Sequence, residues 1–187
     1  MKARADQSSD HRPLPTRLAG PGESPGFLLW KVSNAWQRRQ RAALQPLGLT
    51  HSQFVLLATA TWFGHTETLT QTRLAELTGV DVMTTSQVLR TLEVAKLLER
   101  DTHPDDPRAK TIAVTARGRE LARKAIVVVE ETDEAFFAPV AARLGELVRL
   151  FTALARPAAD APVAERRAAL GRRTPLRKGD RTRPAEE

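Results

Sequence analysis

From about residue 26 to residue 155, apolar positions recur every three to four residues, the spacing of helices that each bury one face. Leu29, Val32, Trp36 and Ala43-Leu44 give a face to a first helix over about 26–45, stopped by Pro46 and Gly48. Thr50-His51-Ser52-Gln53 reads as a capping box, the Thr hydroxyl taking an amide of the opening turn while the Gln side chain reaches back. It opens a second helix to about Phe63, with Phe54, Leu57, Ala58 and Trp62 on one side. Past the polar stretch Gly64 to Thr68, Thr70 caps a short third helix carrying Leu74, Ala75 and Leu77, which Gly79 ends as a left-handed stop. Asp81 then caps a fourth helix, Val82 to about Ala95.

Beyond this the period changes. Leu97 to Thr102 and Thr111 to Thr115 are short alternating segments on either side of His103-Pro104-Asp105-Asp106-Pro107-Arg108, the pattern of a β-hairpin with a long tip. Thr115 caps a fifth helix through about Ala135. Pro139, at a first-turn position, starts a sixth with Val140, Leu144, Leu147, Val148, Phe151 and Leu154 at helical spacing.

Both ends of the chain lack this periodicity. Pro13, Pro15, Pro21 and Pro25, interleaved with Gly20, Gly22 and Gly26, make residues 1–24 a flexible arm. Residues 156–187 alternate Ala, Pro and Arg without aromatics and read as a basic, disordered tail. The expected folded domain is 25–155, with a lobe over about 50–115 and long helices over about 26–45 and 116–155. Composition adds two exclusions. The 187 residues include no cysteine and no tyrosine, which removes disulfides, thiolate metal sites, thiol redox sensing and phenol chemistry. The net charge of +7 points toward polyanions, but its placement weakens the inference. Residues 156–187 hold nine basic and five acidic side chains, whereas 25–155 hold sixteen and fourteen. The start of the chain carries no apolar signal core, and the longest apolar runs, Phe27 to Trp30 and Ala125 to Val129, are too short to span a bilayer. A soluble, cytoplasmic protein with no membrane partner is expected.

Two short helices joined at a glycine and followed by a hairpin form the winged helix-turn-helix layout, so the expected fold class is mainly α with a small β-hairpin wing. Periodicity sorts the fourth helix. Thr85, Val88, Leu89 and Leu92 recur at core spacing, which leaves Thr84, Ser86, Gln87, Arg90 and Thr91 outward. Those types suit base reading, since Arg pairs with guanine, Gln with adenine, and hydroxyls reach base edges or phosphates.

The residues also carry a resemblance. Leu74-Ala75-Glu76-Leu77-Thr78-Gly79-Val80-Asp81, Val88-Leu89-Arg90-Thr91-Leu92-Glu93 and Leu97-Leu98-Glu99-Arg100 resemble the MarR family of bacterial transcription regulators. Asp106-Pro107-Arg108-Ala109-Lys110 and Val114-Thr115-Ala116-Arg117-Gly118 are similar to its wing signature, and Leu47 to Phe54 to the entry of its second helix. The likeness covers residues 27–155 and leaves out the tails. It implies a homodimer interlocked through its first, fifth and sixth helices, binding a pseudo-palindromic operator in double-stranded DNA. The apolar Ala125 to Val129 and Phe136-Phe137, which need covering, agree with that. The resemblance implies that Arg108 is the wing-tip arginine entering the minor groove, with Asp106 as its steadying acid and Lys110 beside it. It also implies long dimerisation helices, repression as the mode of action, and release by a small aromatic or anionic effector. Candidate pocket residues are Trp30, Asn34, Trp36, His51 and Phe54. One position departs from the pattern, with Lys96 where relatives carry glycine after the reading helix.

Other classes lack their residues. The four histidines, 11, 51, 65 and 103, are scattered, so no metal site or cofactor is expected. A phosphate loop, Gly-x-Gly-x-x-Gly and Gly-x-Ser-x-Gly are all missing, so no enzyme is expected. The alternative is a winged-helix protein that binds DNA without sequence preference through its basic tail, or that serves as a protein-interaction module.

Overall fold

The computed structural model describes residue 14, residues 16–102 and residues 110–155. A 3-10 turn over Pro21–Glu23 leads to Ser24, whose hydroxyl accepts from the Phe27 amide at 3.3 Å and caps α1, Pro25–Leu44. A second 3-10 turn, Gln45–Leu47, ends at Gly48 with φ 69°, a left-handed corner that favours glycine. Thr50 then caps α2, His51–Phe63, through the full capping box. Its hydroxyl accepts from the Gln53 amide at 3.2 Å, and the Gln53 side chain accepts from the Thr50 amide at 2.9 Å.

Thr70 and Thr115 cap α3, Gln71–Thr78, and α5, Ala116–Phe137, by the same chemistry, as Asp81 does for α4, Val82–Val94. The hairpin pairs β2, Leu98–Thr102, with β3, Lys110–Val114, in register from Leu98 opposite Val114 to Thr102 opposite Lys110. A further strand, β1, Leu69–Thr70, adds to the other edge of β3, with Leu69 opposite Ile112. The expected two-stranded wing is therefore a three-stranded antiparallel sheet in the order β1-β3-β2. Two residues are too few to alternate visibly, so this strand leaves no periodic signal.

The core lies where α2, α3 and α4 meet the sheet and α5. Leu44, Leu56, Leu57, Leu69, Leu74, Leu89, Leu92 and Leu98 are fully buried there. Three sequence expectations need correction. Trp62 does not share the buried side of α2 and is 73% exposed. At about 100° per residue it projects opposite the face formed by Leu57 and Ala60. Leu29 and Val32, expected on the packed face of α1, are also exposed, whereas Gln40 and Leu44 further along the helix are buried. The sixth helix does not start at Pro139. Ala138–Arg143 is a 3-10 segment with Val140 outside helical geometry, and α6 runs over Leu144–Ala155. Pro139 has no amide to donate four residues back, so the α-ladder is interrupted at that point.

The chain divides into two compact units, one through Pro139 and one from Val140 onward. Within the second, α6 leaves Leu144, Val148, Leu150, Phe151 and Leu154 exposed. Among the described residues, no helix is long and apolar enough to cross a membrane.

Candidate nucleic-acid interface

The geometry of α4 follows from its two faces. Thr85, Leu89 and Leu92 are fully buried and Val88 is half-buried against the core. On the opposite side Gln87 and Arg90 are exposed, and among the described residues neither side chain has a hydrogen-bond or ion-pair partner. The other outward candidates are less free. Ser86 is half-buried. Thr84 hydrogen-bonds Asp81 through its amide, at 2.8 Å, and through its side chain, and these bonds hold the Asp81 carboxyl below the usual carboxylate range. The Thr91 hydroxyl donates to the Val88 carbonyl at 2.7 Å and accepts from Gln53 Nε2 at 3.0 Å, which fastens α4 to the capping box of α2.

The C-terminal end of α4 is held equally firmly. The Leu97 amide donates to the Leu92 carbonyl at 2.9 Å and the Lys96 amide to the Glu93 carbonyl at 2.9 Å, the two bonds of a Schellman cap. That motif requires a left-handed residue, and Lys96 has φ 58°. The departure from glycine thus leaves the helix exit unchanged and puts the strain on Lys96. Arg100 on β2 donates to Glu93 on α4 at 2.8 Å, bracing helix against hairpin. Thr115 extends the brace, its hydroxyl donating to the Lys96 carbonyl at 2.9 Å while accepting from the Gly118 amide at 3.0 Å. A Cβ on Gly118 would stand 1.9 Å from the Leu97 carbonyl oxygen, so the glycine that closes the wing signature lets α5 approach the hairpin.

Lys110 is exposed at the rim of the wing, and its ammonium donates to Thr102 Oγ1 across the strand pair at 3.1 Å. The wing-tip pair Asp106 and Arg108 lies outside the described residues.

Of the candidate effector residues, the structure brings three together. His51 meets Trp36 edge-on with ring centroids 4.8 Å apart and stacks toward Phe54 at 6.4 Å. Trp30, 63% exposed, stacks instead on Phe27, and Asn34 Nδ2 donates to the Trp30 carbonyl at 2.7 Å. A polar centre beside the first group has no signature in the sequence. Asp133 on α5 accepts from Trp36 Nε1 at 2.6 Å and from Gln40 Nε2 at 2.7 Å. Gln40 is fully buried, and its Oε1 has no partner among the described residues. Burial lowers the His51 pKa; the Asp133 carboxylate opposes the shift and Arg41 adds to it. An acid 93 positions from Gln40 carries no local signal of this pairing.

A capped helix with a free polar face, braced to a β-wing and set on a packed three-helix lobe, defines a winged helix-turn-helix DNA-binding protein. The sequence profile of the MarR family matches residues 49–110. The chain is 42% identical over 124 residues to an uncharacterized HTH-type transcriptional regulator of Bacillus subtilis, YdcH, covering 66% of this chain and 84% of that one. It is 35% identical over 108 residues to the HTH-type transcriptional repressor Rv2887 of Mycobacterium tuberculosis, covering 58% and 76%. The solved structure of Rv2887 in complex with salicylic acid matches with a TM-score of 0.55 at 32% identity, over 70% of this chain and 96% of that one. The chain belongs to the MarR family and is a DNA-binding transcriptional regulator of the helix-turn-helix type.

Proposed function

We propose that the protein is a homodimeric repressor that binds a pseudo-palindromic operator and is released by a small aromatic or anionic ligand. The observation that carries the reading is the exposed Gln87-Arg90 face of α4, which has no side-chain partner among the described residues and lies opposite a buried face on a helix capped by Asp81 and braced near its C-terminal end through Thr91 and Glu93. In this reading Thr84, Ser86, Gln87, Arg90 and Thr91 meet the major groove. Arg108, steadied by Asp106, enters the minor groove with Lys110 at its side. The domain spans 25–155, and the tails at 1–24 and 156–187 add only non-specific affinity. Dimerisation is supported by exposed apolar rows: Phe27, Leu28, Leu29, Trp30 and Val32 on α1, Ile126 and Val127 on α5, and the apolar side of α6. Two copies would present their reading helices about 34 Å apart, one duplex turn.

The effector part rests on the cluster of Trp36, His51 and Phe54 beside Asp133 and Gln40, and on the salicylic acid complex of the relative Rv2887. Repression is carried over from the same relative's name. Genomic footprinting, followed by gel shifts on the recovered site with and without salicylate, tests the whole. A symmetric site bound by a dimer and weakened by salicylate is the expected result. Binding without sequence preference, or binding lost when residues 156–187 are removed, overturns the regulator reading in favour of a tail-led DNA binder.

A further inference from the structure

We propose that Met83 is a specificity-determining residue of the reading helix, recognising the C5-methyl group of a thymine in each half-site. The inference rests on the reading of α4 as the helix that enters the major groove. Met83 is apolar and yet 74% exposed, more than most apolar side chains among the described residues. Its position sets it apart from an incidental surface methionine. At about 100° per residue, Met83, Gln87 and Arg90 fall within about 60° of one another, centred opposite Thr85, Leu89 and Leu92. Met83 therefore heads the same free stripe as the two polar candidates, one turn before Gln87.

It also lies at the right end of the helix. Asp81 is the cap and Met83 the second helical residue, and in helix-turn-helix proteins the N-terminal residues of the reading helix contact base edges. Val94 shares the stripe and is 83% exposed, but it closes the helix at the far end, beside the Schellman cap. Seven residues at about 1.5 Å per residue separate Met83 from Arg90 by roughly 10 Å, about three base steps. The stripe thus offers one apolar and two polar readers to neighbouring base pairs. A thioether side chain has no hydrogen to donate and only a weakly accepting sulfur, so its best match on the groove floor is an apolar group. The one apolar group displayed there is the thymine methyl, and contact with it distinguishes A·T from T·A as well as from G·C.

The test uses the operator recovered by selection on randomised duplexes, with each thymine replaced in turn by deoxyuridine. This deletes the C5-methyl and leaves every hydrogen-bonding group in place. Full-length protein should lose about fourfold in affinity per half-site at one symmetric thymine pair, the equivalent of about 0.8 kcal/mol for one buried methyl. Met83→Ala should bind the thymine and deoxyuridine operators equally at that pair, while Met83→Leu keeps the discrimination. If Met83→Ala retains the full thymine preference, or no deoxyuridine replacement weakens the wild type, the inference is overturned. Arg90→Ala on the unmodified operator separates the two layers. Weakened binding there with an indifferent Met83 defeats only the methyl contact, whereas unchanged binding by Arg90→Ala, Gln87→Ala and Met83→Ala defeats the reading of α4 itself.

Discussion

Lys96 and Gly118 both lie at the exit of α4, Lys96 in its cap and Gly118 against the Leu97 carbonyl, and they are under opposite demands. Lys96 holds φ 58° because the Schellman cap needs a left-handed residue there, at a cost of about 1 kcal/mol for a side chain with a Cβ. Lys96→Gly should stabilise the protein by several tenths to about 1 kcal/mol in a denaturant titration, even though glycine loosens the unfolded chain. Gly118 allows no such exchange. Its missing Cβ is what admits the Leu97 carbonyl, so Gly118→Ala should destabilise by about 1–3 kcal/mol as strand or helix shifts away. At His51 the sign is set by burial. The folded-state pKa lies below the unfolded value of about 6.5, so the unfolded chain takes up its proton first as the pH falls. The stability contributed by the neutral imidazole is complete above about pH 6.5 and is lost as the pH drops toward the lowered folded value. His51→Gln should flatten the melting temperature against pH over that interval; an unchanged slope would place the proton uptake elsewhere.

At the scale of elements, the proposed reading gives α4 and the wing different work in the same lobe. Side chains of α4 would face major-groove edges that distinguish all four base pairs, whereas the minor groove offers Arg108 mainly its width and A·T content. Gln87→Ala or Arg90→Ala should cost about 1–3 kcal/mol on the operator and relax preference at one or two symmetric positions. Arg108→Ala should weaken binding comparably while leaving the major-groove preferences in place. A selection on randomised operators with each mutant at fixed salt measures both effects. A rewritten major-groove preference in Arg108→Ala, with none in the helix variants, would assign the reading element wrongly. The Arg100–Glu93 pair ties α4 to the hairpin, while the Gln53–Thr91 bond ties it to α2.

At the scale of the whole molecule, the basic excess and the exposed apolar helices fall in different stretches of the sequence. The basic excess of residues 156–187 sits outside the helical pattern, while α1, α5 and α6 each expose apolar side chains. Truncation to residues 25–156 should leave the melting transition nearly unchanged and make the salt dependence of DNA binding shallower, because fewer phosphate contacts release fewer counterions. A large fall in melting temperature would instead show that the tail packs on the folded chain. If the exposed rows close a homodimer, the melting temperature should rise with protein concentration, as dissociation and unfolding are then linked by mass action.

The first five helices, the caps of α2 to α5 and the two faces of α4 are legible in the sequence because they depend on contacts within a few residues. Thr50 with Gln53, Asp81 with Thr84, and the three-four spacing of Thr85, Leu89 and Leu92 are local facts. Local patterning misjudged Trp62 and Leu29, since periodicity reports which residues share a face and not whether the fold covers that face. The rest depended on distant partners. The two-residue strand β1 exists only because β3 offers its edge. Asp133 becomes a shared acceptor only when α5 lies against α1, and the glycine of the wing signature has its reason in the Leu97 carbonyl beside it. Hydrogen bonds and steric contacts act over a few ångströms of space, so a chain position announces them only when both partners also lie close along the sequence.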